Sequence, residues 1–283
     1  MPYLSRMAGY NGRRAVDPEV VMAEVVATKQ ITPHMMRVTL GGDGIRRLTV
    51  QGYDQWFRLF MTREGQDNLK LPTASSGWWY AQYLATPKSR RPWVRNYTIR
   101  AAREDLAEID VDFVVHGSDD DGTSGPGAGF ATSCQVGERV GILDQGLGYN
   151  PRHEHDWTLL VADESGLPAV AGICESLPQG TYGAAIVEVP AAADKQEFRV
   201  PPGMDLRWVV RDETAAGEHA IPGEAALAAL RETELPAGSG YAFSIGESSL
   251  ATGARRHLVN DRGVPKAHTD FVGYWKHGKA SPS

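Results

Sequence analysis

The chain has 283 residues, a size that suggests two domains rather than one, and 29 basic against 35 acidic residues give a formal net charge of −6. That excess of acid excludes a nucleic-acid binder that works through global charge, and leaves only a local basic patch open. An apolar fraction of 42% with 23% charged residues is ordinary for a globular chain. No apolar run nears the roughly 20 residues of a membrane span, and Met1–Arg6 lacks a signal-peptide core. The expectation is a soluble, cytoplasmic protein with no membrane span.

In chain order, residues 1–17 read as a mobile arm. Val20–Lys29 and Met35–Leu40 are valine- and methionine-bearing strands, followed by the turn cluster Gly41–Gly44. Tyr53–Met61 is an aromatic-rich strand. Residues 64–92 form a polar insertion, with Trp78-Trp79-Tyr80 as a packed loop. Val94–Arg100 and Ile109–His116 are further strands, and Val111, Phe113 and Val115 alternate to one face. Ser118–Gly129 is a loop, Phe130–Cys134 a short helix and Glu138–Leu143 a strand. Short strands punctuated by turns predict a β-barrel over residues 18–150.

The texture changes near Pro151. Trp157–Ala162 is an apolar strand buried on both faces, and Ser165–Leu177 is a helix with Pro168 in its first turn. Tyr182–Val189, Leu206–Arg211, Tyr241–Ile245 and Thr269–Trp275 are strands. Gly223–Glu232 and the stretch from Gly246 to Gly263 carry helices. Alternation of strand and helix predicts a doubly wound α/β domain over 151–283, with its ligand at the carboxyl ends of the strands.

Five segments could carry chemistry. In Arg95-Asn96-Tyr97-Thr98 a guanidinium and a ring share one strand face, suited to a phosphate and a flat heterocycle; a surface arginine beside a core tyrosine is the plainer alternative. Asp112–His116 with the loop Gly125–Gly129 offers backbone donors to a pyrophosphate, or is simply a flexible hairpin loop. Asp163-Glu164-Ser165 lies where a nucleotide would bind, yet its carboxylates would repel phosphate. They suit ribose hydroxyls, or a helix cap. Gly246-Glu247 repeats that strand–helix setting. The tail Gly273–Lys279 carries an aromatic pair that could cover a flavin, with Lys276, His277 and Lys279 able to receive an anion; a hydrophobic plug with solvated charges fits equally. Two cysteines, Cys134 and Cys174, cannot supply a four-thiolate metal centre. No metal site is expected, and any electron carrier is organic.

Taken together, RNYTIR (95–100), VDFVVHG (111–117), GPGAGFA (125–131), LLVADESGLPA (159–169) and the stretch from Phe243 to Ala280 resemble the siderophore-interacting protein family. That family is a branch of the ferredoxin-reductase-like flavoproteins. The resemblance spans about Val20 to Lys279. It implies a β-barrel FAD-binding domain followed by an α/β doubly wound nucleotide-binding domain that admits NADH or NADPH. It places Arg95 on the FAD pyrophosphate, Asn96, Tyr97 and Thr98 beside the isoalloxazine, and Asp112, Phe113, Val115 and His116 along the flavin site. Gly127, Ala128 and Gly129 would offer backbone donors to phosphate, and Trp275 would approach the flavin from the tail. Asp163, Glu164, Ser165, Gly246 and Glu247 would border the nicotinamide nucleotide. The glycine loop departs from the usual G-P-A-S-x-W-A, which leaves backbone groups or Thr132 to meet the phosphate.

The implied activity is FAD-dependent ferric-siderophore reduction, with electrons passing from NAD(P)H through flavin to Fe(III) and Fe(II) released. Hard oxygen donors hold Fe(III) better than the softer Fe(II). An anionic chelate calls for a basic rim, for which Lys276, Lys279, Arg255 and Arg256 are the candidates. The rivals are a flavin reductase serving a protein partner such as an oxygenase, and a non-catalytic carrier without FAD. Reduced ferredoxin stays open as the donor, Asp163-Glu164 leans towards NADH, and a monomer is the default.

Overall fold

The computed structural model describes residues 11–75, 78–115, 125–215, 217 and 220–279. The chain divides between Leu147 and Gly148 into two compact units, with Asn11–Arg13 joining the second.

The first unit is a seven-stranded antiparallel sheet. Its strands are β1 (Val20–Thr32), β2 (Met35–Gly41), β3 (Trp56–Met61), β4 (Trp93–Thr98), β5 (Ala101–Arg103), β6 (Glu108–Val114) and β7 (Arg139–Gly146), in the order β4-β3-β7-β1-β2-β6-β5. The sheet curls into a barrel. Tyr97 on β4 and Phe113 on β6 come from opposite ends of the strand order, yet their ring centroids lie 4.2 Å apart. Alternation along each strand fills the interior. Phe57, Leu59 and Met61 point inward with Ile109, Val111 and Phe113, and Val115 packs against them as expected. Asp110 and Asp112 take the other face of β6. There Thr39 and Arg103 bind Asp110, and Arg37 binds Asp112 through Nε and Nη2 at 2.7 and 2.8 Å. The short β5 has no hydrophobic run of its own and is held by pairing with β6.

Residues 64–92 are not the loop that their polarity suggested. Trp78–Ala85 is a helix, α1. It lays Trp79 and Tyr83 over the outer face of β3, in a cluster with Phe60 and Leu143. Trp79 meets Phe60 edge-on at 5.8 Å, and the buried Arg58 guanidinium lies 4.7 Å from the Trp79 ring centre. Trp78 is 74% exposed. The short helix expected near Phe130 begins earlier, as α2 (Pro126–Ser133), with proline in its first turn where the missing N–H is harmless.

The second unit is a five-stranded parallel sheet. It comprises β8 (Trp157–Ala162), β9 (Tyr182–Val189), β10 (Gly203–Val210), β11 (Gly240–Glu247) and β12 (Thr269–Trp275), in the order β10-β9-β8-β11-β12. Three helices cross it: α3 (Leu167–Ser176), α4 (Glu224–Glu232) and α5 (Ser248–Arg256). The chain winds from β8 outward to β10, then returns to β11. Right-handed crossovers therefore put α3 on one face and α4 with α5 on the other. α4 and α5 share a core with Leu159 and Val161. The helix after β11 ends at Arg256 and continues as one π-helical turn, His257–Asp261. The arm expected over residues 1–17 is not free at Asn11, whose side chain donates to Asp270 and whose carbonyl accepts from Asn150 and Arg152. Residues 1–10 lie outside the described residues. Among the described residues, no helix is long and apolar enough to cross a membrane.

Candidate functional site

In the barrel unit, the sequence segments around residues 95 and 127 meet. The Tyr97 ring packs on Phe113, which in turn lies 5.9 Å from Phe130 of α2. Gly127, in the first turn of α2, sits directly against the Tyr97 hydroxyl, and a Cβ at 127 would overlap it. Burial pushes the Tyr97 phenol well above its usual range, with Arg95 opposing, so the hydroxyl stays neutral. Arg95 lies on the same strand face, donates to the Val94 carbonyl at 2.7 Å and stands 5.4 Å from the Trp93 ring. Thr98 is buried at the end of β4, and Asn96 accepts from Arg58.

The start of α2 has no side-chain cap. Pro126 brings no N–H, Gly129 N–H already binds the Gly125 carbonyl, and the N–H groups of Gly127 and Ala128 remain at the positive end of the helix dipole. This donor set, with a guanidinium and a ring on the facing strand, suits a diphosphate joined to a flat heterocycle. The Tyr97 hydroxyl takes the space a Cβ at Gly127 would fill, so the N–H groups at the start of α2 lie beside the ring on which such a group would stack, and the residues present fit it.

Two expected ligands are placed elsewhere. The Asp112 carboxylate is spent on Arg37, on the face of β6 opposite Phe113. Thr132 is near the far end of α2 from Gly127, and its hydroxyl donates back to the carbonyls of Ala128 and Gly129. Asp112 is thus not free for the flavin nor Thr132 for its phosphate, and Gly127 and Ala128 are left as backbone donors. His116 lies outside the described residues.

In the α/β unit, the strand order reverses between β8 and β11, the position where doubly wound sheets bind nucleotides. Asp163–Ser165 and Gly246-Glu247 converge there. Asp163 is fully buried. Its Oδ1 accepts from the Ser165 N–H and hydroxyl at 2.9 and 2.5 Å, and its Oδ2 accepts from Glu247 N–H at 2.6 Å. Gly246 adopts φ 121°, and a side chain there would strike the Asp163 carboxylate. The two crossovers are thus stitched together by one carboxylate.

Glu164 turns the other way, to Arg211 at the end of β10. Arg211 Nη2 donates to Glu164 Oε1 at 2.6 Å, and its Nε lies 3.4 Å from Glu188 Oε1. Glu188 also accepts from Gly223 and Ala226 N–H at the start of α4. All three side chains are buried, and Glu164 Oε2 has no partner. Burial, reinforced by the Asp163 charge and opposed by Arg211, pushes the Glu164 carboxyl up to about 8. Arg211 and Glu188 carried no sequence signal. They become legible only when the sheet brings positions 164, 188 and 211 to one edge.

The tail candidates separate. Lys276 and Lys279 face each other across a tight turn. Arg255 and Arg256 sit at the other end of α5, roughly 10 Å of helix away, with Arg255 5.2 Å from the centre of the Phe271 ring. The four do not form one rim. Trp275 ends β12, its Nε1 buried without a partner. Cys134 and Cys174 are buried thiols pushed up to about 11 and about 12 by desolvation, so neither is a reactive thiolate. Among the described residues no cluster could hold a metal ion.

Residues 24–148 match the family described as "Siderophore-interacting FAD-binding domain", and residues 155–278 match "Siderophore-interacting protein". The ferric vibriobactin reductase ViuB of Vibrio cholerae is 30% identical over 91% of this chain and 90% of its own length. The crystal structure of a siderophore utilization protein from T. fusca superposes with a TM-score of 0.77 at 30% identity, covering 95% of this chain and 97% of that one. A ferredoxin reductase of carbazole 1,9a-dioxygenase has the same fold at 16% identity (TM-score 0.62, 92% of this chain and 71% of that one). With an antiparallel barrel-like sheet, a doubly wound parallel sheet and both family signatures in place, the chain belongs to the siderophore-interacting protein family and has the ferredoxin-reductase-like fold.

Proposed function

We propose that the protein is an FAD-dependent reductase of ferric siderophores that draws electrons from NAD(P)H. The observation that carries this reading is the seating of the uncapped start of α2 against Tyr97, with Gly127 on the Tyr97 hydroxyl and Arg95 two residues along the same strand. Relatives such as ViuB, named a ferric vibriobactin reductase, support the substrate class. FAD, when bound, supplies the exchange between a two-electron nicotinamide donor and a one-electron iron acceptor.

The chain's own residues bind and orient. Arg95 and the Gly127 and Ala128 N–H groups hold the diphosphate. Tyr97, kept neutral by burial and braced by Phe113, gives the ring system a fixed apolar wall. At the β8–β11 edge, Ser165 and the neighbouring backbone border the nicotinamide nucleotide. Asp163 acts from behind by fixing both crossovers. The iron is substrate, and no protein ligand to it is required.

The test is an anaerobic visible spectrum of the FAD-loaded protein. Flavin bands that bleach with NADH or NADPH and return on adding a ferric siderophore, with Fe(II) trapped by a chelator, are expected. Failure to retain FAD would overturn the barrel assignment. Bleaching without reoxidation by any ferric chelate would overturn the substrate assignment.

A further inference from the structure

The connection between β3 and β4 carries a surface that the reductase reading does not use. α1 contains no charged residue. Its inner face is spent on the barrel through Trp79 and Tyr83. On its outer face Trp78 and Leu84 are exposed, and Ala81 and Ala85 lie beside them. Gln82 is the one polar side chain among the exposed residues of this helix, and its amide is turned back on the preceding loop. Its Oε1 accepts from the N–H groups of Thr73 and Ala74, and its Nε2 donates to the Thr73 hydroxyl at 3.0 Å. What α1 offers outward is therefore apolar, with an indole at its start.

Cations follow directly. Between Asp67 and Glu104 the sequence has seven basic residues and no acidic one, in a chain of net charge −6. Arg91 is consumed by the helix, donating to the Leu84 and Thr86 carbonyls at 2.5 and 2.8 Å. Lys88 and Arg90 lie in the short helical turn after α1 and are exposed. Neither makes an ion pair among the described residues. The apolar face thus ends in an ammonium and a guanidinium, with no carboxylate in the same stretch of chain.

We propose that this face docks on the surface of an anionic lipid bilayer, with Trp78 and Leu84 entering the headgroup region and Lys88 and Arg90 meeting lipid phosphates. Tryptophan favours that boundary because its ring is apolar and its N–H polar. Each Lys or Arg held at an anionic surface adds to the attraction. A chain of net negative charge is otherwise repelled there, so the cations also select the side that approaches. Two other occupants fit less well. A second copy in a two-fold pair sets the same cations against each other. A stable protein partner needs roughly 20–30 residues a side, whereas an eight-residue helix is only about 12 Å long. A bilayer demands no such complementary area.

The test is sedimentation of the full chain, with FAD added, alongside extruded vesicles. One set is phosphatidylcholine alone and the other phosphatidylcholine mixed with phosphatidylglycerol, each at low and high salt. The parent is expected to bind the anionic vesicles, to be released by salt, and to leave the neutral vesicles bare. Trp78→Ala, and Lys88→Gln combined with Arg90→Gln, should each lower the partition coefficient at least about tenfold. In both variants the FAD content and the rate of NAD(P)H oxidation without vesicles should match the parent. A parent that stays in solution beside anionic vesicles overturns the proposal and leaves the face to a protein partner. Equal binding to neutral vesicles overturns it too, as does binding that either variant retains in full. So does a parent that is dimeric by sedimentation velocity and becomes monomeric on Trp78→Ala, which assigns the face to a second copy. The readout is binding rather than reduction, so each of these failures leaves the reductase reading standing.

Discussion

The backbone of Gly127 lies against the hydroxyl of Tyr97 so closely that no side chain fits between them. One contact therefore sets the distance between the start of α2 and the ring of the RNYT strand. Gly127→Ala must displace Tyr97 or the helix. Overpacking of this kind is worth about 1–3 kcal/mol, and here it falls on the cofactor cradle. FAD affinity, read by flavin fluorescence titration, is expected to drop at least about tenfold while the circular dichroism spectrum is retained. Unaltered affinity would show that the cradle does not hold the flavin.

The buried Glu164 predicts a pH effect on stability. Its carboxyl is raised from an ordinary 4.5 to about 8, so between those values the folded state holds a proton that the unfolded chain has released. The stability this group contributes is complete below about pH 4.5 and is lost as pH rises towards 8. Glu164→Gln removes that titration. The melting temperature of the parent relative to the Gln variant is expected to fall steadily from pH 5 to pH 8 and level off above. A constant difference across that range would contradict the burial-driven shift.

Arg211 bears on the choice of donor. It is a buried guanidinium at the carboxyl edge of the sheet, held by Glu164 and Glu188. The 2′-phosphate of NADPH brings nearly two negative charges to an edge where the Arg211 guanidinium is already engaged by Glu164 and Glu188. NADH is therefore expected to bleach the flavin with a kcat/KM at least about tenfold above that for NADPH, measured by anaerobic stopped flow. Parity, or a preference for NADPH, would show that cations outside this edge receive the phosphate.

Adjacent tryptophans of α1 should behave oppositely. Trp79→Ala removes a ring wedged between Phe60 and Arg58 and is expected to destabilise the protein by about 3–5 kcal/mol. Trp78→Ala, at a ring 74% exposed, should shift stability by no more than about 0.5 kcal/mol. Chemical denaturation of both variants checks the contrast.

Strands whose own residues alternate or are wholly apolar were legible in the sequence. β8, β9 and β12 begin and end where their patterns do, because burial is written locally as periodicity. β5 was not, since a three-residue strand is held by its partner. The helix of residues 78–85 was hidden by the polar stretches around it, although Trp79 and Tyr83 stand at i and i+4. In the site, Arg95 and Tyr97 lie on the strand expected of them, whereas Gly127, expected in a loop, opens the helix α2. The misplacements of Asp112 and Thr132 have local causes. Strand alternation put the carboxylate beside Arg37, and the hydroxyl was taken up by its own helix. The Glu164–Arg211–Glu188 cluster and the Glu247–His277 tie join positions far apart in sequence, and no local pattern encodes them.

The connection between β3 and β4 runs from residue 62 to residue 92, yet the two strands pair in register from Trp56–Thr98 to Met61–Trp93. A loop of that length closes at an entropic disadvantage of about 2 kcal/mol relative to a four-residue hairpin. α1 offsets this by folding back onto the outer face of β3, one of the strands it joins. The β3–β4 pairing and the seating of Trp79 should therefore form together, as one cooperative step in folding. Excising α1 would lower the entropic cost of closure but leave Phe60 and Leu143 uncovered, so the shortened chain should lose solubility through that exposed face.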